Sequence, residues 1–229
     1  MIILLVDNIT RHEVKYFLDV GVYERLLSDL LPFIHENKYS NQEVHNIYYD
    51  NDHDEMILRS MEKQEFKEKL RARVYAMNGV KSDVFVEIKK KYQGISYKRR
   101  TSVTYDDFIE KGINAVCKES QIGKEIHYLY NRTKSYQKVY IGCMRKSFRA
   151  IKENDLRFTF DSGIRVRTCK LDFGFDDCDR ELVKDGQYIL EIKSEEMGFP
   201  LWLVQILSKH KLYAISFSKY GVSYTCGLC

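Results

Sequence analysis

Apolar and polar residues alternate with period two over much of this chain. RHEVKYFLD (11–19), EVHNIYYDN (43–51), FKEKLRARVY (66–75), DVFVEIKKKY (83–92), ISYKRRTSVTY (95–105), KVYIGCMRKSF (138–148), LRFTFD (156–161), GIRVRTC (163–169) and YILEIKS (188–194) each mix β-branched or aromatic residues with regularly spaced charges. That spacing predicts nine strands, each with one apolar and one polar face. Helical spacing falls between them, over residues 22–36, over 54–62 with Met56 and Leu58, over 105–119, and over 200–210 with Leu201, Val204 and Leu207 on one stripe. Pro32 falls in the last turns of the first helical stretch and Pro200 opens the last. Strands in meander order with interspersed helices predict an α+β fold, its antiparallel sheet closing into a barrel with peripheral helices. No linker, repeat or low-complexity tract divides the 229 residues, so one domain over 1–229 is expected.

The charges keep step with this alternation. In EKLRARVY (68–75), Lys69, Arg71 and Arg73 share one face while Leu70, Ala72 and Val74 take the other. Glu13 and Lys15, Glu87, Lys89 and Lys91, Arg157, Thr159 and Asp161, and Glu191 and Lys193 repeat the arrangement. One such strand is an ordinary solvated sheet face. Five together point inward. A barrel lumen lined this way carries like charges close together in a low-dielectric space, and its natural occupant is a dense polyanion. Arginine offers planar bidentate donors to phosphate oxygens and lysine a compact point charge. The few carboxylates suit a divalent metal, which takes hard oxygen ligands and bridges phosphates.

Overall charge narrows the partners. With 37 Lys and Arg against 33 Asp and Glu, a net +4, the chain is too balanced for a general nucleic-acid coat, and no nucleic-acid partner is expected. The opening MIILLVDN is apolar for only about six residues, too few for a membrane span of ~20, so a cytoplasmic protein without direct membrane insertion is expected. Six cysteines do not make a disulfide scaffold and are expected to be reduced. Cys226 and Cys229 have metal-ligand spacing but no second pair to complete a zinc site. The histidines share no spacing with a nucleophile, and Trp202 between Leu201 and Leu203 reads as core.

Taken in order, RHEVKYF (11–17), NIYYDN (46–51), Arg59, KLRARVY (69–75), VEIKKK (86–91), SYKRR (96–100), MRKSF (144–148), LRFTFD (156–161), LEIK (190–193) and FSKY (217–220) resemble the VTC-type polyphosphate polymerase domain of the triphosphate tunnel metalloenzyme superfamily. The resemblance spans nearly the whole chain. It implies an eight-stranded antiparallel tunnel that transfers the γ-phosphate of ATP to a growing inorganic polyphosphate chain, with Mn²⁺ or Mg²⁺ as cofactor. ATP and inorganic polyphosphate or pyrophosphate are the implied partners. Carried over by motif, Lys15, Arg71, Arg73, Lys89, Arg145, Arg157, Lys193 and Lys219 take the catalytic positions. Arg59, Lys69, Lys91, Lys98 and Ser218 bind substrate, and Glu191 is the metal ligand.

Three positions depart from the family pattern. Cys143 stands where Tyr-x-Arg is usual, Val74 where Trp-Tyr follows the paired arginines, and Ser216 where a basic residue precedes the FSK motif. Two other readings stay open beside polymerisation. A metal-dependent triphosphatase needs only water as acceptor in the same tunnel, although its relatives carry ExExK where this chain has Glu13-Val14-Lys15. A non-catalytic binder of polyphosphate or nucleotide would keep the cationic lumen without turnover, as the missing tyrosine at Cys143 allows.

Overall fold

The computed structural model describes residues 12–38, 40–92 and 95–227. In chain order, strand β1 (His12–Asp19) leads into helix α1 (Val20–Leu30), β2 (Ile34–Glu36) and β3 (Gln42–Asp50). Then come α2 (Glu55–Met61), β4 (Phe66–Met77), β5 (Val80–Lys81), β6 (Val84–Tyr92), β7 (Ile95–Val103) and α3 (Tyr105–Lys111). A 3₁₀ turn (Gly112–Ala115) precedes α4 (Gln121–Thr133), β8 (Tyr136–Ala150), β9 (Arg157–Arg167), β10 (Arg180–Glu181), β11 (Gln187–Ser194), α5 (Leu201–Lys209) and α6 (Lys219–Thr225).

Eight strands form one continuous antiparallel path, β1-β11-β9-β8-β3-β4-β6-β7, with β2 added to β8, β5 to β4 and β10 to β9. The expected α+β class and eight-strand path are present, but the expected closed barrel is not. β1 and β7 are the two ends of the path, and no ladder joins them among the described residues. The outer edge of β1 is instead occupied near Lys15 by the segment after α5, through an Ile215 N–H to Lys15 carbonyl bond of 2.8 Å. A strand edge already capped this way has fewer free groups to offer a closing partner. The sheet still curls enough for Lys89 on β6 to reach Glu13 on β1 at 3.4 Å.

Each end of the sheet buries its outward apolar face under helices. Tyr16, Leu18, Phe148, Phe158, Phe160, Leu190 and Ile192 pack against Leu26, Leu30, Leu203 and Leu207 of α1 and α5. Leu70, Ala72, Val74, Val86 and Ile88 pack against Phe108, Ile126 and Leu129 of α3 and α4. Each of these large side chains contributes about 1.5–3 kcal/mol by leaving water. Alternation then sends the intervening charged residues to the opposite, concave face. One end of that face is filled by α2 and α6, where Ile57 and Tyr220 meet Val44, Val139, Ile141, Cys143 and Ile189.

Several boundaries differ from the sequence pattern. The first helical stretch stops at Leu30 and its tail becomes β2, because proline lacks an N–H and disfavours helix in the residue before it, so Pro32 lies beyond the helix end. The stretch over 105–119 breaks at Gly112, and α4, capped by the Ser120 hydroxyl on the Gly123 N–H at 3.0 Å, falls outside the helical stretches that the sequence spacing predicts. LRFTFD and GIRVRTC belong to one strand, β9. Its register against β8 shifts opposite Gly142 and Met144, with Gly163 at φ +53°, a bulge that brings Ile164 and Val166 to the concave side.

Candidate functional site

The concave face carries charge from one end of the sheet to the other. On the β4–β6–β7 wall, Arg71 grips Glu87 through Nε and Nη2 at 2.7 Å each and donates to the Tyr48 hydroxyl at 3.1 Å. Lys98 reaches the second oxygen of the same carboxylate at 2.7 Å. Arg73 donates to Asn46 at 2.7 Å and to the Tyr75 hydroxyl at 3.2 Å. Cross-strand register explains these meetings, since Arg71 lies opposite both Tyr48 and Glu87, and Arg73 opposite Asn46.

The wall built from β8, β9, β11 and β1 is organised around three carboxylates. Arg145 forms a two-pronged pair with Asp161 at 2.6 and 2.7 Å, and Lys219 at the start of α6 contacts the same group. Glu191 is held by Lys193 at 2.5 Å and Lys15 at 3.4 Å. Glu13 joins Lys193, at 4.0 Å, to Lys89 across the open seam, so side chains bridge the gap that the backbone ladder leaves. Asp50 sets the position of α6. Its carboxylate accepts the Met56 and Ile57 N–H groups at 3.0 Å each and the Tyr220 hydroxyl at 3.1 Å, tying α2 to the helix that presents Ser218 and Lys219.

Cations exceed carboxylates in this lumen. Among the described residues, Lys15, Lys69, Arg71, Arg73, Lys89, Lys98, Arg145, Lys193 and Lys219 face only Glu13, Glu87, Asp161 and Glu191. The titration behaviour follows. Burial opposes the charge on Glu87, but Arg71, Arg73 and Lys98 outweigh it and hold the carboxyl well below its usual range. Asp161 and Glu191 are pushed the same way by Arg145 with Lys219, and by Lys193 with Lys15. Burial pulls the Lys69 ammonium down, Tyr48 resists, and the charges of Lys89, Lys15 and Arg71 leave it at about 8. Lys98 also falls to about 8, by burial and by Arg71 and Arg73 against the pull of Glu87. Burial would raise the Tyr48 phenol, yet Arg71, Arg73 and Lys69 bring it down to about 8. All these shifts record one unmet positive field.

Most residues singled out from the sequence meet here. Ser218 caps α6 through the Gly221 N–H at 3.3 Å and accepts from Lys69 at 3.4 Å. Arg157 shares the face, in register between Lys193 and Arg149. Lys91 extends the same face to an exposed position opposite Lys67 at the rim. Arg59 is the exception, since it sits on α2, pairs with Glu55 at 3.6 Å and lines a separate polar groove with Arg132 and Lys134. Tyr48 faces the lumen while Tyr49 packs in the core under α4. The sequence pattern does not single out Glu87, Asp161 or Asn46 as site residues, although Glu87 and Asp161 stand in step with the lumen cations. Arg149 continues the parity of Arg145 one residue beyond the predicted strand end.

His45 is buried between the Tyr140 hydroxyl at 2.7 Å and Glu43 at 2.9 Å. Trp202 is half-buried, stacked on Phe33. Cys117, Cys143, Cys169, Cys178 and Cys226 are free thiols, and Arg11 and Cys229 lie outside the described residues. No helix among the described residues is long and apolar enough to cross a membrane.

A divalent metal is tested by this donor set. Among the described residues no three His, Cys, Asp or Glu side chains gather closely enough to hold an ion by themselves. Glu191 and Glu13 nevertheless converge on Lys193. Mg²⁺-like ions are commonly held by one or two carboxylates together with substrate phosphates and water, so the residues fit a metal that is bound jointly with a phosphate ligand.

The fold is an open-seamed antiparallel sheet whose concave, cation-rich face encloses a few carboxylates. The model of the VTC domain matches residues 10–227, and the chain belongs to that family. Comparison with curated proteins finds no match. Among solved structures, the chain is similar to a Hippeastrum adenylyl cyclase candidate described as having a dominant triphosphatase activity, at 17% identity and TM-score 0.57, covering 96% of this chain and 97% of that one. A protein of Pyrococcus horikoshii OT3 aligns at 14% identity and TM-score 0.53 over 94% and 99% of the two chains. An adenylate cyclase candidate of Vibrio parahaemolyticus aligns at 13% and 0.51 over 94% and 98%. At these identities the likeness is one of fold.

Proposed function

We propose that this protein is an ATP-dependent polyphosphate polymerase, a single tunnel domain that transfers the γ-phosphate of ATP to the end of an inorganic polyphosphate chain. The observation that carries the reading is the excess of lumen cations over carboxylates, with Lys69 and Lys98 both depressed to about 8. Family membership supports a substrate that contains a phosphate chain. In the reaction, a terminal oxygen of the acceptor chain forms a bond to the γ-phosphorus while the bond to the β,γ-bridging oxygen breaks, and its electron pair leaves on ADP.

Such a transfer needs alignment and charge neutralisation more than a covalent nucleophile. Arg71, Arg73, Lys98 and Lys69 would grip donor phosphates from one wall, and Lys15, Arg145, Lys193, Lys219 and Arg157 from the other. Lys89 and Lys91 would carry the chain along the seam and rim. Arg59 belongs to this reading only at its margin, because its groove is separate. Glu191, with Glu13 beside Lys193, would hold Mn²⁺ or Mg²⁺, which supplies charge neutralisation across phosphate oxygens.

Incubation of the purified protein with ATP and Mn²⁺ should yield polymer visible on a gel. Absence of polymer both with and without a pyrophosphate primer would overturn the reading. Glu191→Gln should abolish synthesis and leave the fold intact by circular dichroism. Hydrolysis of triphosphate is the second reading, favoured by the activity described for the Hippeastrum neighbour. Free phosphate released without polymer would establish it. Tight tripolyphosphate binding without any turnover would instead leave a binding module.

A further inference from the structure

Beyond the ring of ion pairs, the β8–β9 wall continues toward the end of the lumen where β3 has ended and β2 has taken its place beside β8. β3 pairs with β8 only as far as Gln42 opposite Arg145, whereas β2 pairs with residues 148–150. Arg149 lies here. Its neighbours Phe148 and Ala150 are buried under α1 and α5, so the guanidinium turns to the concave face. In register along one row stand Glu13, Lys193, Arg157, Arg149 and His35, so the guanidinium residues Arg157 and Arg149 lie directly opposite each other on neighbouring strands, while Lys193 is already engaged by Glu191 and Glu13. Like charges directly opposite one another in a sheet are destabilising. A bound anion would relieve that repulsion.

Two buried polar atoms mark where such an anion would sit. Arg149 Nε and Thr159 Oγ1 are shielded from solvent and have no hydrogen-bond partner among the described residues. Leaving a buried donor unmet costs about 1–3 kcal/mol, and more for a charged group, so such atoms call for an explanation. Thr159 occupies the next row, opposite the buried Ser147 and Glu191, and Glu191 is already engaged by Lys193 and Lys15. The pair therefore offers a guanidinium donor and a hydroxyl to the same space. Arg157, level with Arg149, is four residues along β9 from Asp161, where Arg145 and Lys219 are engaged, a distance of roughly 13 Å. One phosphate cannot touch both places.

We propose that Arg149 and Thr159, with Ser147 beside them, form a further anion subsite that takes a phosphate of a long polyphosphate chain beyond the segment gripped at Arg145 and Lys219. This rests on the reading of the lumen as a phosphate-chain site and adds to it a device for sensing chain length. The subsite is empty for a short ligand and filled for a longer one.

Titration calorimetry at constant ionic strength with tripolyphosphate and with a longer linear polyphosphate tests it. The wild type should bind the longer chain about tenfold more tightly per site, the return expected from one charge-assisted bond. Arg149→Gln should erase that ratio and leave tripolyphosphate affinity within about twofold, Arg149→Lys should restore part of the ratio, and Thr159→Val should reduce it. Equal wild-type affinity for the two chains, or an unchanged ratio in both Arg149→Gln and Thr159→Val, overturns the subsite while the lumen reading stands. Parallel loss of both affinities in Arg149→Gln without rescue by lysine assigns Arg149 a structural role and also overturns it. Wild-type protein that binds neither chain overturns the lumen reading itself.

Discussion

The two walls of the lumen use the same residue types in different proportion. Among the described residues of the lumen face of β4, β6 and β7, one buried carboxylate, Glu87, serves both Arg71 and Lys98, while the bonds of Arg73 and Lys69 go to neutral groups. On the β8–β9–β11–β1 wall, Asp161, Glu191 and Glu13 are interleaved with Arg145, Lys219, Lys193 and Lys15. The first wall carries more cation than carboxylate, the balance that an anion receptor would have. The second also carries Arg157 and Arg149 and so is cationic too, but it spreads three carboxylates among its cations and holds those that suit a metal. The contrast teaches that a cationic tunnel need not be uniformly cationic, because ligand grip and metal support can be divided between its sides.

The largest effect should come from removing the one counter-charge of the first wall. Glu87→Gln leaves the partly buried Arg71 and the more exposed Lys98 without their carboxylate, and a thermal or denaturant melt should lose about 3 kcal/mol, in line with the breaking of the buried Arg71–Glu87 pair. Millimolar tripolyphosphate should return much of the loss, since a ligand of the folded state stabilises by mass action. If Glu191→Gln costs as much stability as Glu87→Gln, the proposed asymmetry between the walls is wrong.

Arg73→Ala should come next, slowing polymer formation by about 100-fold or more, the usual effect of losing one positioned donor in a transition state. Its melting temperature should change less than that of Glu87→Gln, because the partners left behind, Asn46 and Tyr75, are neutral. A wild-type rate for this variant would remove the first wall from the reaction.

Cys143→Tyr tests the join between the walls. Cys143 is 1% exposed and packs among Tyr48, Ile57 and Tyr220, so restoring the family residue should overpack the site and destabilise by about 1–3 kcal/mol in a melt. Higher stability with faster synthesis would show that the space is available.

The smallest effect is a pH dependence confined to the first wall. Lys69 and Lys98 lie at about 8, and a bound anion favours their charged forms, so binding requires protonated lysine and weakens as pH rises through that value. Between about pH 7 and about pH 9, tripolyphosphate affinity should fall by roughly tenfold for each lysine that must be protonated. Calorimetry in two buffers of different ionisation heat would detect the proton uptake. A flat profile would mean that neither lysine meets the anion.

Much of the site was legible in residue order, because strand parity is a local property. Lys69, Arg71 and Arg73 share a face wherever their strand lies, and so do Glu191 and Lys193. Helix α4 also carried a readable signal, with Ser120 at its cap and Ile122, Ile126 and Leu129 spaced for one face, although the surrounding charges and Gly123 obscured it. Arg59 misled for the opposite reason. Its motif position suggested the lumen, but helix α2 turns Met56 and Ile57 inward and leaves Arg59 outside with Glu55. Helix α6 hid inside FSKY, where only the docking of Tyr220 on Asp50 makes seven residues a stable turn of helix.

By itself the sequence determined which side chains share the charged face, since the two-residue repeat of a strand needs no knowledge of its neighbours. It also determined that this face carries more cation than the chain's modest net charge of +4 suggests. Only the tertiary structure decided which cation meets which carboxylate, that Ile215 caps the edge where a closing strand would pair, and that Glu13 and Lys89 bridge the seam. Those outcomes depend on register, bulges and sheet curvature, which are set by contacts between residues far apart in the chain.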